Sequence, residues 1–345
     1  MKLLIRADAN NVIASGHIMR CIAIAQKAIL MGHEVKFIIA DTKAEILISK
    51  YSMPYICMHT QWNDMENEIQ VISDILQREK ADCILVDSYY VTTKYLSILR
   101  GLCKVAYIDD LNMFKYPCDI LICYANYYGK FNYEMLYKNE ATRLLLGPQY
   151  TPLRDEFIHK NAKGNNEQKK SILVMSGGSD EYHIIKQILE DLDKAKIIGE
   201  NNVVAICGVY NRDYDELAEK YAGNENVTLL KAVEKIDVYM RKADIAISAG
   251  GTTLYELCAC GTPTICYSFA DNQLDNVRSF AIDDIMVYAG DVRDGNVVLN
   301  IVNEIEELLR NDSRRKLLSE KMFKSVDGRG AERIVRGISA CIRNM

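Results

Sequence analysis

Short apolar runs alternate with longer stretches that carry apolar residues at helical spacing: "KLLI" then "IMRCIAIAQKAILMG", "EVKFII" then "KAEILISKY", "DCILVD" then "TKYLSILRG", and "KVAYIDD". The alternation predicts βα units around a parallel sheet, since parallel neighbours need a crossover connection that is usually a helix. The runs are apolar at consecutive positions, the pattern of strands buried on both faces. Gly32 in "ILMGHE" stands where the first helix should end in a left-handed cap. After "RLLLGPQYTPLRDEF" the strand signals pause, and "HKNAKGNNEQKK", residues 159–170, is polar without apolar period and reads as a linker. A second series follows: "SILVMSGG", "NVVAIC", "NVTLLKA", "ADIAISAGG", "TPTICYSF" and "IMVYAG". The expected organisation is an N-terminal α/β domain over 1–158, a second over 171–330, and a terminal helix over 331–345 that could pack at the domain boundary. Two doubly wound parallel-sheet domains facing each other across a cleft is the simplest architecture with this pattern.

Composition narrows the classes. At 345 residues and 49% hydrophobic, the chain can bury a core in each of two domains. Lys plus Arg number 42 against 47 Asp plus Glu, with no long run of like charge, so no nucleic-acid surface is expected. The opening "MKLLIRADANN" meets Arg and Asp before a signal-peptide core could form, and no segment stays apolar for the ~18 residues of a membrane span. Eleven cysteines are scattered through apolar runs, which suits small buried hydrophobes in a reducing cytoplasm better than a disulfide framework. Cys258 and Cys260 in "CAC" lack zinc-knuckle or C-x-x-C spacing, and the five histidines have no partner at ligand spacing, so neither metal nor cofactor is expected.

In open parallel sheets ligands bind beyond the carboxyl ends of the strands, which directs attention to the turns there. In "MSGGSDEYHIIKQIL", Gly177 and Gly178 could hold a phosphate at a helix N-terminus or simply make a turn, and Ser179 and Asp180 could be helix caps. In "ADIAISAGGTTLYELCACGTPTICYSFADNQLDN" a strand runs into Gly250, Gly251, Thr252 and Thr253 and then a helix bearing Glu256. Amides and hydroxyls there suit a diphosphate, and Glu256 a ribose; the alternative is that Thr252 caps the helix and Glu256 is a solvated carboxylate. In "ASGHIMR" His17 follows a glycine at the first strand-to-helix turn, a position that needs no catalytic duty by itself.

"GGTTLYELCACGTPTICYSFADNQ" is similar to the nucleotide-sugar-binding stretch of GT-B enzymes, particularly the glycosyltransferase that adds N-acetylglucosamine in peptidoglycan synthesis. With "IRADANNVIASGHIMR", "VDSYY", "YIDDL", "LLGPQYTPLRDEF" and "VMSGGSD", the chain resembles the UDP-2,4-diacetamido-2,4,6-trideoxy-beta-L-altropyranose hydrolases of pseudaminic acid synthesis and the related spore-coat polysaccharide proteins. The resemblance implies a GT-B-like α/β fold, a UDP-sugar substrate and hydrolysis at the anomeric carbon. It implies His17 as the base, substrate contacts from Arg154 and Asn272, and nucleotide contacts around Glu256. The family's first turn usually has two glycines, whereas this chain reads Ala14, Ser15, Gly16.

Histidine suits this work: diphosphate is a good leaving group, but water needs a base whose pKa lies near neutrality, and an unperturbed imidazole titrates near ~6.5. A carboxylate should fix the ring, and Asp8, Asp87, Asp109 and Asp110 all fall at strand ends of the first domain; spacing does not choose among them. Arg6, Asp8, Asp87, Tyr89 and Asp109 are further candidates for substrate contact, while Arg6 and Arg20 could pair with phosphate or carboxylate or brace the loop. The stretch "YSMPYICMHTQW" and the tyrosines of "NYYGKFNYEMLY" could line a sugar pocket, or such tyrosines could simply be half-buried. The expected function is a metal-independent, cytoplasmic UDP-sugar hydrolase. A glycosyltransferase on the same fold, or a noncatalytic nucleotide-sugar-binding protein, is the alternative. A lipid acceptor would call for an apolar or basic patch on the first domain, and none stands out in the sequence. The oligomeric state is left open.

Overall fold

The computed structural model describes residues 1–10, 12–13, 15–158 and 169–343. It divides into two compact units, Met1–Asp155 with Gly328–Met345, and Glu156–Asp327. Most of the predicted linker, 159–168, and the Ala14 of "ASGHIMR" lie outside the described residues.

In the first unit seven described strands form one parallel sheet: β1 (Lys2–Ala7), β2 (Glu34–Ile39), β3 (Tyr55–Cys57), β4 (Cys83–Asp87), β5 (Lys104–Ile108), β6 (Ile120–Cys123) and β7 (Arg143–Leu146), in the order β3-β2-β1-β4-β5-β6-β7. In the second unit six make another: β8 (Ser171–Met175), β9 (Asn202–Cys207), β10 (Val227–Lys231), β11 (Ile245–Ala249), β12 (Thr264–Ser268) and β13 (Val287–Asp291), in the order β10-β9-β8-β11-β12-β13. Every strand pair is parallel. The central strands β4, β11 and β12 are buried along their whole length, which is why they read as unbroken apolar runs. Register follows: Leu3, Leu4 and Ile5 of β1 sit opposite Cys83, Ile84 and Leu85 of β4, so both faces of the pair enter the core.

The first helix, Gly16–Leu30, ends before Gly32, whose φ of +80° is the left-handed turn that glycine permits without a Cβ penalty. The last helix, Gly330–Arg343, belongs to the first unit: it packs on the first helix and beside β6 and β7, burying Ala331, Ile334, Val335 and Ile338. Two glycines allow the approach. A Cβ on Gly337 would stand 2.9 Å from Leu145 Cδ1, and one on Gly330 would penetrate the Thr151 carbonyl oxygen. Ser339 Oγ also meets His33 Nε2 at 3.1 Å.

Gly330→Ala should therefore cost about 1–3 kcal/mol of stability through overpacking against rigid backbone. Gly129→Ala, where a Cβ meets nothing within 4 Å, should shift it by less than about 0.5 kcal/mol. Paired thermal and urea melts check both.

Candidate active site

Each sheet reverses its winding once, between β1 and β4 in the first unit and between β8 and β11 in the second. Such switch points open a crevice at the strand carboxyl ends, where ligands of doubly wound folds bind. The turns singled out in the sequence follow these four strands.

After β1, Gly16 and His17 begin the first helix. His17 is 6% exposed, and its Nδ1 lies 2.6 Å from Oδ1 of Asp87, the last residue of β4. An ionised carboxylate only accepts, so Nδ1 carries the proton and Nε2 keeps the lone pair. Arg20, three residues on and so on the same helix face, donates Nε to Asp87 Oδ2 at 2.6 Å and Nη2 to Oδ1. Its Nη1 donates to Asp110 Oδ2 at 2.7 Å and to the Tyr124 hydroxyl at 2.6 Å. Burial alone would raise the Asp87 carboxyl, but Arg20 and His17 outweigh it and hold it far below the usual carboxylate range. Tyr89 presses edge-on against the imidazole, centroids 4.6 Å apart at 76°, while burial and Asp110 push its hydroxyl up so that it stays neutral.

These groups line a pocket of about 220 Å³ formed by Asp8, Ile13, His17, Trp62, Asp87, Ser88, Tyr89 and Tyr90. Trp62 and Tyr90 meet edge to face at 5.1 Å.

The structure brings together Asp8, His17, Asp87 and Tyr89 of the sequence candidates and sets others apart. Arg6 is not a substrate contact: it is 0% exposed, donates Nε and Nη2 to Glu68 at 2.8 and 2.9 Å, and pairs with Asp8. Asp8 in turn accepts from Ala40 N at 2.8 Å, and Glu68 from the Tyr95 hydroxyl at 2.8 Å. Asp109 is not one either: it is 0% exposed, and its oxygens are consumed by Leu111 N, Asn112 N and the hydroxyls of Tyr116 and Tyr133. Arg154 follows β7, half-buried, outside the pocket lining. Asn272 lies in the second unit, exposed in the first turn of the helix Asp271–Ile282. Trp62 closes the stretch "YSMPYICMHTQW" that the sequence offered as pocket lining, whereas Glu68 escaped the sequence reading. Glu68 in "MENEIQ" resembles any surface carboxylate near a helix start, and only the burial of Arg6 reveals its role.

In the second unit the two glycine turns differ. Gly177 takes φ +72°, and Gly208 packs its bare Cα onto the Gly177 and Gly178 carbonyls, leaving no room for a Cβ. The helix beyond starts only at Ile184, and Asp180 accepts from Ile184 N and Ile185 N at 2.9 and 3.0 Å. That helix N-terminus is thus occupied by a carboxylate, the capping alternative that the sequence left open for Asp180. Ser176, Ser179, Asp180, Tyr182 and Phe269 help line a pocket of about 210 Å³ there. After β11, a Cβ on Gly250 would stand 2.5 Å from Val277 Cγ1, so this glycine permits the close seat of the helix Asp271–Ile282. Asn276 Nδ2 locks it by donating to Gly250 O at 3.0 Å. Around Gly251 there is open space. Thr252 precedes the helix Thr253–Cys260 but makes no side-chain capping bond, so the alternative in which it caps does not hold. Glu256 is half-buried in the first turn. At this second helix start the Thr252 side chain makes no capping bond.

All eleven cysteines are free, and among the described residues no group of three or more His, Cys, Asp or Glu is placed to hold a metal ion. No described helix is long and apolar enough to cross a membrane.

The lowered Asp87 carboxyl makes a pH prediction. Its contribution to stability is complete above the unfolded value of about 3.9 and is lost as pH falls below that toward the folded one. Urea unfolding should show the natural chain weakening below about pH 4, whereas Asp87→Asn should already be about 3–5 kcal/mol less stable at pH 7, with Arg20 left short of a partner, and should lose less on acidification.

A family model described as "Glycosyl transferases group 1" matches residues 156–324, within the second unit. The chain is 24% identical to the UDP-2,4-diacetamido-2,4,6-trideoxy-beta-L-altropyranose hydrolase of Campylobacter jejuni over 77% of this chain and 92% of that protein. It is also 24% identical over 77% of its length to an uncharacterised protein of Methanocaldococcus jannaschii, of which the match spans only 55%. In three dimensions it is similar to the crystal structure of Acinetobacter baumannii MurG, with a TM-score of 0.70 and 14% identity, covering 99% of this chain and 100% of that one. The chain has a GT-B-like α/β fold of two parallel-sheet domains, and it resembles the UDP-diacetamido-trideoxy-altropyranose hydrolase family over most of its length.

Proposed function

We propose that this chain is a nucleotide-sugar hydrolase acting on a UDP-activated diacetamido-trideoxy sugar, releasing UDP and the free sugar for nonulosonic (pseudaminic) acid synthesis. The observation that carries the reading is His17: Asp87 holds its Nδ1 at 2.6 Å, the ring lines the switch-point pocket, and Nε2 is left to act as base. Water oxygen attacks the anomeric carbon, the bond from that carbon to the diphosphate oxygen breaks, and the water proton passes to Nε2. UDP leaves with the electron pair, and no strong acid is needed because the diphosphate is already a stable anion. In the second unit Gly250, Gly251, Thr252 and Thr253 hold the diphosphate at a helix start that the Thr252 side chain does not cap, Gly177 and Gly178 contribute backbone, and Glu256 accepts from the ribose hydroxyls. Arg154 and Asn272 contact the sugar. The name of the Campylobacter relative supports the substrate, and the reaction in this reading runs in the cytoplasm without metal.

A specific observation favours a second reading, transfer of the sugar to an acceptor. Beyond β1, β4 and β5 the first unit exposes Val12 (76%), Tyr89, Tyr90, Leu111 and Met113 (72%), apolar surface that the sequence pattern did not disclose and that an apolar acceptor would use. The "Glycosyl transferases group 1" match in the second unit suits either reading.

Free UDP should appear when purified protein is incubated with the UDP-sugar in EDTA and no acceptor. His17→Asn should reduce the rate by roughly 10²–10⁴-fold while calorimetric UDP binding persists. UDP release that requires an added acceptor would establish transfer instead, and binding without release would establish a noncatalytic role.

A further inference from the structure

We propose that Arg20 is a positioning residue that keeps His17 oriented yet uncharged. The inference rests on His17 being the base, as proposed above. A carboxylate hydrogen-bonded to an imidazole normally does two things at once: it fixes the tautomer, and it stabilises the imidazolium, so the ring tends to hold a proton before any substrate arrives. A general base needs the first effect without an excess of the second.

At Asp87 the two are separated. Arg20 spans both carboxylate oxygens, Nε on Oδ2 at 2.6 Å and Nη2 on Oδ1, the same oxygen that holds His17. Its Nη2 lies 3.1 Å from His17 Nδ1, so a permanent positive charge already stands beside the ring when a proton would arrive. A second cation there is opposed by the first, while the Nδ1–H to Oδ1 bond is untouched. The fork of a guanidinium, planar and always charged, does what a lysine would do less rigidly.

Of the other groups around the ring, the thiol and the hydroxyls are neutral, and each of the two further carboxylates is already paired with an arginine. From the first helix, Cys21 Sγ reaches Asp87 Oδ2 at 3.5 Å, its thiol pushed well up by burial and so uncharged. From beyond β4 and β6, the hydroxyls of Tyr89 and Tyr124 are pushed up, chiefly by burial, and stay neutral. From beyond β5, Asp110 accepts through Oδ2 from Arg20 Nη1 at 2.7 Å and so shares the guanidinium with Asp87. From beyond β1, Asp8 lines the pocket and shares Arg6 with Glu68. Arg20 is therefore the cation set directly against both the ring and its carboxylate.

The test reads the ring itself. Nitrogen-15 NMR follows the imidazole of His17, identified by its loss in His17→Gln, across pH in the natural chain and in Arg20→Met. With the guanidinium gone, Asp87 and Asp110 both lose the cation that pairs them, and the pH of half-protonation should rise by about one unit or more. On the acid side of the UDP-release profile this is an approximately tenfold fall in kcat/KM at fixed pH. Arg20→Gln, which keeps an amide donor but no charge, should give the same rise and serves if the methionine variant does not fold. Half-protonation at an unchanged or lower pH in a folded variant, whatever happens to its melting temperature, would make Arg20 a brace and overturn the proposal. The ring titration needs no turnover, so a chain that releases no UDP would defeat the hydrolase reading while leaving this result to stand or fall alone.

Discussion

One buried carboxylate organises the first unit's site. Asp87 ends β4, receives the ring of His17 and the fork of Arg20 from the first helix, and through Arg20 is tied to Asp110 beyond β5 and Tyr124 beyond β6. Isolated, a carboxylate that is 2% exposed would cost several kcal/mol in desolvation. Here both oxygens accept charge-assisted bonds, and the guanidinium that answers it is itself answered. The arrangement fixes the loops of neighbouring strands to one point. A parallel sheet delivers its strand ends to a common edge, and this network gives the edge a defined shape.

The second unit applies the same electrostatics twice with opposite results. At the helix after β8, Asp180 supplies its own anion to the first amides and is further held by Ser176, which the Tyr267 hydroxyl also meets. At the helix after β11 Thr252 supplies no side-chain cap, and the chain before it, Gly250 and Gly251, is pinned by packing and by Asn276. The two turns thus differ in what holds them: a carboxylate on the helix amides in one, close packing and a side-chain amide in the other.

Much of the fold was legible because buried parallel strands leave a plain trace. "DCILVD", "ADIAISAGG" and "TPTICYSF" became β4, β11 and β12, apolar on both faces. The half-buried β3, inside "YSMPYICMHT", left no such trace and was read only as tyrosines near a sugar. His17 was legible through its company, but its carboxylate was not. Asp8, Asp87, Asp109 and Asp110 are equivalent in spacing, and only the strand order places Asp87 across from the first helix. Asp109 and Arg6 misled for one reason: a polar residue at a strand end looks functional until its partners, up to 62 residues away in the case of Glu68, are seen to consume it. Long-range pairing is what a local pattern cannot carry.

The return of the last helix to the first unit sets an order of events in synthesis. The second unit is an insertion within the first, contiguous from Glu156 to Asp327 and able to collect its core as soon as it emerges. The first unit begins earlier but finishes later. The surface of its first helix is sealed by Ile334, Val335 and Ile338, made some 300 residues after His17. Until they arrive, that surface stays open to water and to other chains, the kind of incomplete intermediate that larger proteins pass through. The unit that bears the histidine is thus the first to be started and the last to be closed.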